Sequence, residues 1–339
     1  MDVSLNAHNQ DQFLEQFPLG SFLQSRFWKR FLNLQGKKAW QLNVYDQGRV
    51  VAHSLVYTNK LFLGKSYLYS PKGPIILPTL STDERKEALE LILSQVRDIT
   101  IATRRREEIF CRVEPNIPLP ELPNLGRLPS EAIQPKATMY LQLLNTTPDA
   151  LFETFKEKTR YNIRLAEKKG VTVHWSNGDD GLNIFLQMLG LSKQRNRIRS
   201  HARRYYELLL KADADKTTVH IGWATYNNVP IAANLYIMYY PTFTYLHGGF
   251  DYQYRQLMAP HLLQWEAIKR AHEFKMNFFD FWGYMPSDGS KPSLANVSRF
   301  KEGFSGTVVE SPGCFDFLYN PLWHGLYRKA RALRRILPL

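Results

Sequence analysis

The alternation of apolar and polar residues predicts a short α/β unit near the start of the chain. Residues 40–57 alternate around a polar turn, which is typical of a β-hairpin. Another strand is predicted at residues 66–69, and a helix follows from Ser81 or Thr82, with apolar residues at three- and four-residue spacing. The strand from Ile109 to Val113 completes a unit of hairpin, strand, helix and strand.

The same order of elements is predicted again in the second half of the chain. Its strands lie at residues 219–225, 231–238, 245–249 and 278–282, and its helix runs from about residue 259 to residue 274. A repeated unit of this kind indicates an α/β (α+β) protein with two tandem domains, in which each strand–helix–strand part can form a right-handed crossover. The acyl-CoA N-acetyltransferase (GNAT) fold has this element order, and we therefore predict two GNAT-like domains.

We place the first domain at residues 1–146 and the second at residues 147–315, with the C-terminal segment 316–339 packing back on the first domain. The second domain opens on Thr147, Pro148 and Asp149, a typical helix N-terminus. Gly170 is a typical end of the same helix. The sequence therefore predicts one helix from the domain boundary to Lys169.

Composition agrees with a globular protein. The chain has 339 residues, of which 44% are apolar and 22% charged, so disorder and low complexity are excluded. Its two cysteines, Cys111 and Cys314, form neither a disulfide framework nor a zinc motif. We find no signal-peptide pattern and no apolar run of the length needed to span a bilayer, and we expect a cytoplasmic protein.

The formal charge of +13 indicates a polyanionic partner. Between Lys156 and Arg204 there are twelve basic and only four acidic residues. Arg160, Arg164 and Lys168 recur at four-residue spacing and share a helix face. A solvated helix face is the simple interpretation of one such stripe, but the second basic cluster, from Lys193 to Arg204, favours a phosphate-binding surface.

The C-terminal segment is a further basic element. Apolar residues recur at three- to four-residue spacing from Trp323 to Ile336, and Arg328, Lys329, Arg331, Arg334 and Arg335 lie between them. Such a helix can lie on an anionic membrane, or it can pack on the first domain. The two interpretations are compatible if the basic face stays exposed.

Coenzyme A is not expected as a cofactor. Its pyrophosphate needs a glycine-rich approach to a helix N-terminus, where bare backbone N–H groups meet the phosphates. The equivalent stretch here, Arg255 to Pro260, contains no glycine, and neither does Leu77 to Thr82 in the first copy. We predict no cofactor and no metal.

An ordered set of short motifs runs through nearly the whole chain. They are Gln24-Ser25-Arg26-Phe27-Trp28, Pro71-Lys72-Gly73-Pro74, the run from Lys158 to Val171, Tyr245 to Gly249, Ala259-Pro260, Leu263-Gln264-Trp265, Asp280-Phe281-Trp282-Gly283 and Arg299-Phe300-Lys301-Glu302-Gly303-Phe304. Taken together and in this order, they resemble the motifs of the FemABX family of peptidoglycan-bridge aminoacyltransferases.

The resemblance implies a non-ribosomal enzyme that moves an amino acid from aminoacyl-tRNA to the stem-peptide amine of a peptidoglycan precursor. Some members carry a helical arm in the second domain. Residues 181–216 have room only for ordinary helices, so the chain resembles the short, armless members. The transfer needs no covalent nucleophile because the donor ester is already activated, so positioning and oxyanion stabilisation carry the reaction.

The resemblance also implies site residues. Lys301 matches the family's Phe-Lys motif and is expected to face the developing oxyanion. Asp280, at a strand end, would orient the acceptor amine or take its proton, and a structural role as the cap of a neighbouring turn stays equally open. The expected tRNA-binding residues are Lys158, Arg160, Arg164 and Lys168. Expected ligands of the substrate are Lys37, Lys38, Arg195, His201, Tyr245 and His247. The family often has a lysine shortly after the tryptophan of its first motif, where this chain has Leu32; Lys29, Lys37 and Lys38 are the possible replacements.

Two other functions stay open at this point. One uses the same donor with a different acceptor amine, on a lipid or at a protein N-terminus. The other is a non-catalytic module that binds tRNA or the cell envelope.

Overall fold

Both predicted sheets are present in the computed structural model, which describes residues 1–5, 10–17, 21–102, 107–120, 127–196, 200–214, 218–285 and 292–336. The chain divides into two units. Unit 1 comprises residues 1–14, 20–134 and 311–339, and unit 2 comprises residues 15–19 and 135–310. In both, a mixed sheet is covered by helices, as expected for an α/β architecture.

The sheet of unit 1 has the strand order β1-β2-β3-β4-β6-β15-β7, with β5 paired to β3. Only β4 and β6 are parallel, and helix α3 connects them. The strands are β1 (Asp2–Leu5), β2 (Ala39–Asp46), β3 (Arg49–Lys60), β4 (Ser66–Lys72), β5 (Ile75–Ile76), β6 (Glu108–Pro115), β7 (Arg127–Ser130) and β15 (Cys314–Leu318). The helices are α1 (Gln10–Leu14), α2 (Arg26–Leu34), α3 (Thr82–Ala102) and α10 (Pro321–Ile336), with a 3-10 turn at Ser21–Gln24.

The sheet of unit 2 has the order β14-β8-β13-β12-β11-β10-β9. Here β12 and β13 are the parallel pair, and helix α8 connects them. The strands are β8 (Ala137–Gln142), β9 (Thr172–Ser176), β10 (Val219–Tyr226), β11 (Val229–Tyr239), β12 (Thr242–Phe250), β13 (Phe278–Tyr284) and β14 (Thr307–Glu310). The helices are α4 (Pro148–Thr154), α5 (Glu157–Lys168), α6 (Asp179–Asn196), α7 (Arg203–Ala212), α8 (Ala259–Glu273) and α9 (Pro292–Glu302), with a 3-10 turn at Tyr252–Leu257.

The internal repeat is visible in the two hairpins. Gln47 and Gly48 join β2 to β3, Asn227 and Asn228 join β10 to β11, and all four residues have positive φ angles. Two-residue turns with this backbone match the twist of the strands they join, and Gly and Asn tolerate it best. Each hairpin then leads into the parallel strand–helix–strand segment of its unit. The predicted order of elements is therefore correct in both copies.

The boundary between the units differs from the one we predicted. Strand β8 pairs with β13 and β14 in the second sheet, so the chain changes unit at residue 134 and not at residue 146. At the other end, β15 pairs with β6 and β7, and unit 1 takes up the chain again from Ser311 and not from residue 316. The difference arises because strand pairing across the chain, and not the helix start at Thr147, decides which sheet these strands join.

The single helix predicted from Thr147 to Lys169 is wrong: the chain forms α4 and α5. Phe155 leaves the helical conformation, with ψ near 150°, and its ring packs against Trp265 and Phe304 in the core. The Lys156 N–H then donates to the Gly303 carbonyl at 2.9 Å. The helix is therefore interrupted at Phe155, where the ring packs in the core.

The predicted helix start at Thr147 is correct. Its Oγ1 accepts a hydrogen bond from the Ala150 N–H at 3.2 Å, and Pro148 follows in the first turn. Because loss of such a cap costs about 1 kcal/mol, we expect Thr147→Ala to lower the free energy of unfolding by about that amount in urea titrations. Thr146→Ala, one residue outside the helix, is the control and should change it by less than about 0.5 kcal/mol.

Helix α10 is held on unit 1 by a buried ionic cluster. Arg112 lies on β6 and donates to both carboxylate oxygens of Asp316 at 2.7 and 2.8 Å. His324 of α10 contacts the same carboxylate at 2.9 Å, and the Tyr327 hydroxyl lies 3.4 Å from the Arg112 guanidinium. The predicted apolar stripe of this helix is therefore divided, because Tyr327 faces inward while Leu326 and Leu333 are exposed. Within the described residues, no helix has the length and apolar character needed to cross a membrane.

Candidate active site

The parallel strands β12 and β13 separate partway along their length. They pair from Thr242 to Thr244 and from Phe278 to Asp280, and both continue beyond this point with other partners, β11 and β8. Separation of two parallel strands opens a cleft in the sheet and leaves backbone groups on both edges for a ligand. Tyr245 lies on the β12 edge of this cleft, at the first position after the pairing ends.

The β13 edge of the cleft is a β-bulge. The register to β8 shifts between Asp280 and Gly283, and Trp282 has a φ of 58°, which is rare for a bulky residue. The Trp282 N–H donates to Asp280 Oδ1 at 2.8 Å, and the Thr138 hydroxyl donates to the same oxygen. Asp280 is fully buried, so its carboxylate fixes the backbone of the bulge.

Lys301 lies on α9 and reaches the bulge. Its Nζ donates to the Gly283 carbonyl at 2.6 Å and lies 3.4 Å from the Trp282 carbonyl. The same atom is 5.8 Å from the centre of the Tyr245 ring on the opposite strand. The structure therefore brings Lys301, Asp280 and Tyr245, three of the expected site residues, together at the cleft.

The surroundings of Lys301 change its acidity. The side chain is only 5% exposed, and burial lowers the pKa of the ammonium to about 8, while the charge of Asp280 opposes the shift. Burial also raises the pKa of Tyr245 to about 12, so this hydroxyl stays protonated at neutral pH. A buried ammonium over a protonated phenol is suited to stabilise a negative oxygen in the cleft.

Unit 1 has no such cleft between its equivalent strands. Its parallel strands β4 and β6 stay paired from Ser66 to Lys72 and from Glu108 to Pro115, with one register shift between Ser66 and Leu68. Tyr67 and Tyr69 occupy β4 where Tyr245 and His247 occupy β12, and both tyrosines of unit 1 are buried. Among the described residues, the pairing of the parallel strands therefore ends early in unit 2 and continues in unit 1.

Helix α5 carries the predicted tRNA-binding residues and begins beside α9. Thr159 of α5 packs so closely on Gly303 that a side chain at position 303 would collide with its hydroxyl. Lys158, Arg164 and Lys168 are exposed, and Asn162 and Ile163 face the core. The basic face of α5 is thus anchored to the helix that carries Lys301.

Arg160 has a structural role that the sequence does not indicate. The break between α4 and α5 leaves the carbonyls of Glu153 and Phe155 without helical partners, and the Arg160 guanidinium donates to both, at 3.0 Å to Glu153. It is only half-buried, but its hydrogen bonds are directed inward. Arg164 lies 3.9 Å from the Glu153 carboxylate. The exposed lysines Lys158 and Lys168 are therefore the better candidates for phosphate contacts.

Three further predicted ligands, His201, His247 and Arg195, lie in unit 2. His247 is half-buried on β12, its Nδ1 lies 3.3 Å from the Tyr206 hydroxyl, and its ring centre is 5.7 Å from that of His201. Burial and the neighbouring His201 lower the pKa of His247 to about 3, so it is neutral. Arg195 lies apart from them, with its guanidinium 4.7 Å from the ring centres of both Phe250 and Tyr252.

Lys37 and Lys38 lie in unit 1, in a shallow depression formed with Asn33, Gly36, Ala39 and Trp40. Burial lowers the pKa of Lys37, whose Nζ donates to Asn59 at 3.0 Å and lies 4.5 Å from the Tyr57 ring centre. Lys38 is exposed. Leu32, at the position that the family often gives to a lysine, is buried in the core.

Several residues near the cleft were not predicted. Thr138 lies on β8, far from Asp280 in sequence, and no motif marks it. Asn234 interrupts an apolar run, which is a usable signal, and its Nδ2 donates to the Tyr236 hydroxyl at 2.8 Å and to Gln264 Oε1 at 3.2 Å. Asn234 and Tyr236 lie on β11, and Gln264 lies on α8. Their side chains form a buried polar cluster next to β12, the strand that carries Tyr245.

Known proteins resemble this chain over nearly its whole length. The sequence model of the FemAB family matches residues 5–123, 125–225 and 221–332. Lipid II:glycine glycyltransferase from Staphylococcus epidermidis is 22% identical over 404 residues, covering 94% of this chain and 94% of that protein. Its name is that of an aminoacyltransferase, and the predicted enzyme class is thereby confirmed.

Two solved structures share the fold. FemX matches with a TM-score of 0.82 at 19% identity, over 96% of this chain and 99% of that one. A tandem GNAT protein from the clavulanic acid biosynthesis pathway matches with a TM-score of 0.55 at 13% identity, over 94% and 99%. The predicted tandem GNAT-like architecture is confirmed, and since the family match extends over nearly all of the sequence, the chain belongs to the FemAB family of aminoacyltransferases.

Proposed function

We propose that the chain transfers an aminoacyl group from aminoacyl-tRNA to the stem-peptide amine of a peptidoglycan precursor. The observation that carries this proposal is the buried ammonium of Lys301 at the cleft between β12 and β13. A relative named lipid II:glycine glycyltransferase supports a peptidoglycan precursor as the acceptor. The basic face of α5, anchored beside the cleft, supports a polyanionic donor such as tRNA.

In this reaction the acceptor amine attacks the ester carbonyl of the donor and forms a new C–N bond. The carbonyl oxygen becomes negative in the tetrahedral intermediate. The ester C–O bond then breaks, and the ribose hydroxyl of the tRNA leaves with a proton that the amine has lost. The transition state therefore differs from the ground state mainly by the charge on one oxygen.

Lys301 is suited to stabilise that oxygen. An ammonium carries three N–H donors, and the carbonyls of Trp282 and Gly283 take two of them, so the third can meet a substrate oxygen. The bulge fixes those two carbonyls and so fixes the direction of the third donor. Such preorganised donors in a site without bulk water are effective, because they need no reorganisation during the reaction.

Asp280 acts in this proposal as a positioning residue. A proton acceptor for the incoming amine needs an exposed oxygen, whereas Asp280 is fully buried and accepts hydrogen bonds from Thr138 and Trp282. Its negative charge favours the ammonium form of Lys301. The proposed role is therefore to keep Lys301 charged and its carbonyl partners in place.

The direct test is a transfer assay. The protein is incubated with a mixture of charged tRNAs and with either soluble or lipid-linked muramyl-pentapeptide, and the products are analysed by mass spectrometry. We expect the precursor mass to rise by one amino acid residue, which identifies both the amino acid and the accepted form of precursor. No mass increase with either acceptor, under conditions in which a known relative is active, would contradict the proposed acceptor.

Contacts between α5 and tRNA phosphates have a measurable salt dependence. We expect Lys158→Ala and Lys168→Ala each to reduce the slope of log affinity against log salt concentration by about 1, because each lysine releases about one counterion. Fluorescence anisotropy with labelled tRNA at several salt concentrations gives the slope. Lys275→Asn, an exposed lysine at the far end of α8, is the control. Unchanged slopes in both test variants would place the donor elsewhere.

A further inference from the structure

Two strongly exposed leucines of unit 1 follow or precede a pair of aromatic residues that are in contact. Leu63 is in the turn between β3 and β4 and is 78% exposed, and Leu322, at the start of α10, is 83% exposed. Their chain neighbours Phe62 and Trp323 are in contact, with ring centres 6.4 Å apart. The contact holds the β3–β4 turn and the first turn of α10 together, so both leucines project from one area of the surface.

Helix α10 extends this apolar area. Leu322, Leu326 and Leu333 are 83%, 51% and 58% exposed, and at 3.6 residues per turn they lie within about 40° of one another around the helix. The rotation of the helix is fixed from the opposite side, where His324 and Tyr327 contact the buried pair of Arg112 and Asp316. The leucines are exposed because these buried contacts orient the helix, and not because the helix is frayed.

The two chain segments that form this area carry charge of one sign. Residues 59–66 and 319–336 contain seven lysines and arginines and no aspartate or glutamate. Lys60, Arg328 and Lys329 are exposed, and Lys65 lies with its Nζ 5.0 Å from the Trp323 ring centre. Arg331 is engaged at 3.1 Å by Glu131. An apolar surface with a basic border is complementary to an anionic lipid surface, in which acyl chains lie beneath negative headgroups.

Nucleic acid fits this surface less well. Phosphates would meet the basic residues, but unpaired bases stack on aromatic rings and arginine planes, and aliphatic leucines offer neither. Leu63 lies in the β3–β4 turn with a φ of 52°, a left-handed conformation that is unfavourable for a leucine. Exposed apolar area of this kind indicates an interaction surface.

We propose that the leucine face, defined as Phe62, Leu63, Leu322, Leu326 and Leu333 with the basic residues Lys60 and Lys329, docks unit 1 on an anionic membrane. The leucines enter the boundary between headgroups and acyl chains, and the basic residues meet the lipid phosphates. This deepens the proposed function, since a lipid-linked acceptor lies in such a membrane. Vesicle binding requires neither donor nor acceptor, so the two proposals can fail separately.

The test is co-sedimentation of the full chain with vesicles of phosphatidylcholine, with and without phosphatidylglycerol. We expect binding to the anionic vesicles that weakens with salt, and little binding to the neutral ones. The double variant Leu63→Ser/Leu322→Ser should bind at least about tenfold more weakly, because less apolar area enters the lipid. Lys60→Gln/Lys329→Gln should weaken binding about 20- to 30-fold, since each basic residue near the surface contributes about fivefold. Leu144→Ser, an exposed leucine of unit 2, is the control and should bind like the unmodified protein.

Three results would overturn the proposal. The first is equal binding of the unmodified protein and the Leu63→Ser/Leu322→Ser variant to anionic vesicles. The second is a loss of tRNA affinity in Lys60→Gln/Lys329→Gln with no change in vesicle binding, which would make the surface a nucleic-acid site. The third is a change from dimer to monomer in the leucine variant during sedimentation, without vesicles, which would make it an interface between copies. Transfer to a soluble precursor should be unchanged in the leucine variant.

Discussion

Replacing Lys301 with methionine is expected to lower the turnover number for aminoacyl transfer by about 100- to 1,000-fold, the usual effect of losing one oxyanion donor. Methionine fills nearly the same space as the lysine stem but has no N–H to offer. The affinity for tRNA should stay within about threefold, because the exposed lysines of α5 are untouched. Single-turnover assays and anisotropy titrations measure the two quantities separately.

The same variant distinguishes a catalytic from a structural lysine. Methionine removes the burial penalty of the ammonium but also takes the donor from the Gly283 carbonyl, so the two effects should largely cancel and the protein should stay nearly as stable as before. A structural role predicts the opposite, a large loss of stability. Lys269→Met, the same change on α8, is the control and should keep full activity. Retained turnover in Lys301→Met would remove Lys301 from the proposed mechanism.

The pH dependence of stability gives a further check on Lys301. Its pKa is about 8 in the folded protein, below the ordinary value of 10.5 that applies to the unfolded chain. The penalty of holding the ammonium in the fold is therefore fully present below pH 8. It is relieved as the pH rises from about 8 to about 10.5, where the unfolded chain binds more protons. Relative to Lys301→Met, the free energy of unfolding of the unmodified protein should rise by about 3 kcal/mol across that window.

Much of the fold follows from local sequence. Both hairpins and both strand–helix–strand segments are visible in the periodicity of apolar residues, because their strands and helices follow one another along the chain. The break at Phe155 is not, because it depends on Trp265 and Phe304, more than a hundred residues away. The strand pairing that moves the boundary to residue 134 is equally non-local. Propensity alone favours the continuous helix that tertiary packing interrupts.

The candidate site divides in the same way. The motifs contain Lys301, Asp280 and Tyr245, three residues that lie together at one cleft. They do not show that Asp280 is fully buried, or that Thr138 completes its hydrogen bonds, since these facts depend on β8 lying beside β13. Arg160 belongs to the predicted basic stripe, yet it serves the backbone of a helix break that the sequence pattern does not reveal. Motifs thus indicate which residue types take part in the site, whereas the exposure of each side chain depends on residues that are distant in the sequence.

Asp280→Asn is expected to move the alkaline limit of transfer to lower pH. In the unmodified protein the rate should fall above pH 8, because Lys301 loses its proton there. The Asp280 charge raises the pKa of Lys301. Removing that charge therefore lowers the pKa, and the fall in rate moves to lower pH. At a pH above both pKa values, a Lys301 pKa that is lower by about 1 reduces the protonated fraction, and with it the rate, about tenfold.

The asparagine variant separates charge from geometry. Its Oδ1 can still accept from Thr138 and Trp282, so the bulge and the carbonyls of Gly283 and Trp282 should remain in place. Activity should therefore persist at low pH and be lost early at high pH, which a full pH–rate profile measures. Glu302→Gln removes a neighbouring carboxylate that accepts a hydrogen bond from Tyr284, and it should leave the alkaline limit unchanged.

A uniform loss of activity at every pH in Asp280→Asn would mean that the carboxylate holds the bulge without changing the pKa of Lys301. An unshifted, fully active profile would exclude both roles. A shift confined to the alkaline limb is the result expected if the charge of Asp280 keeps the Lys301 ammonium protonated for the reaction.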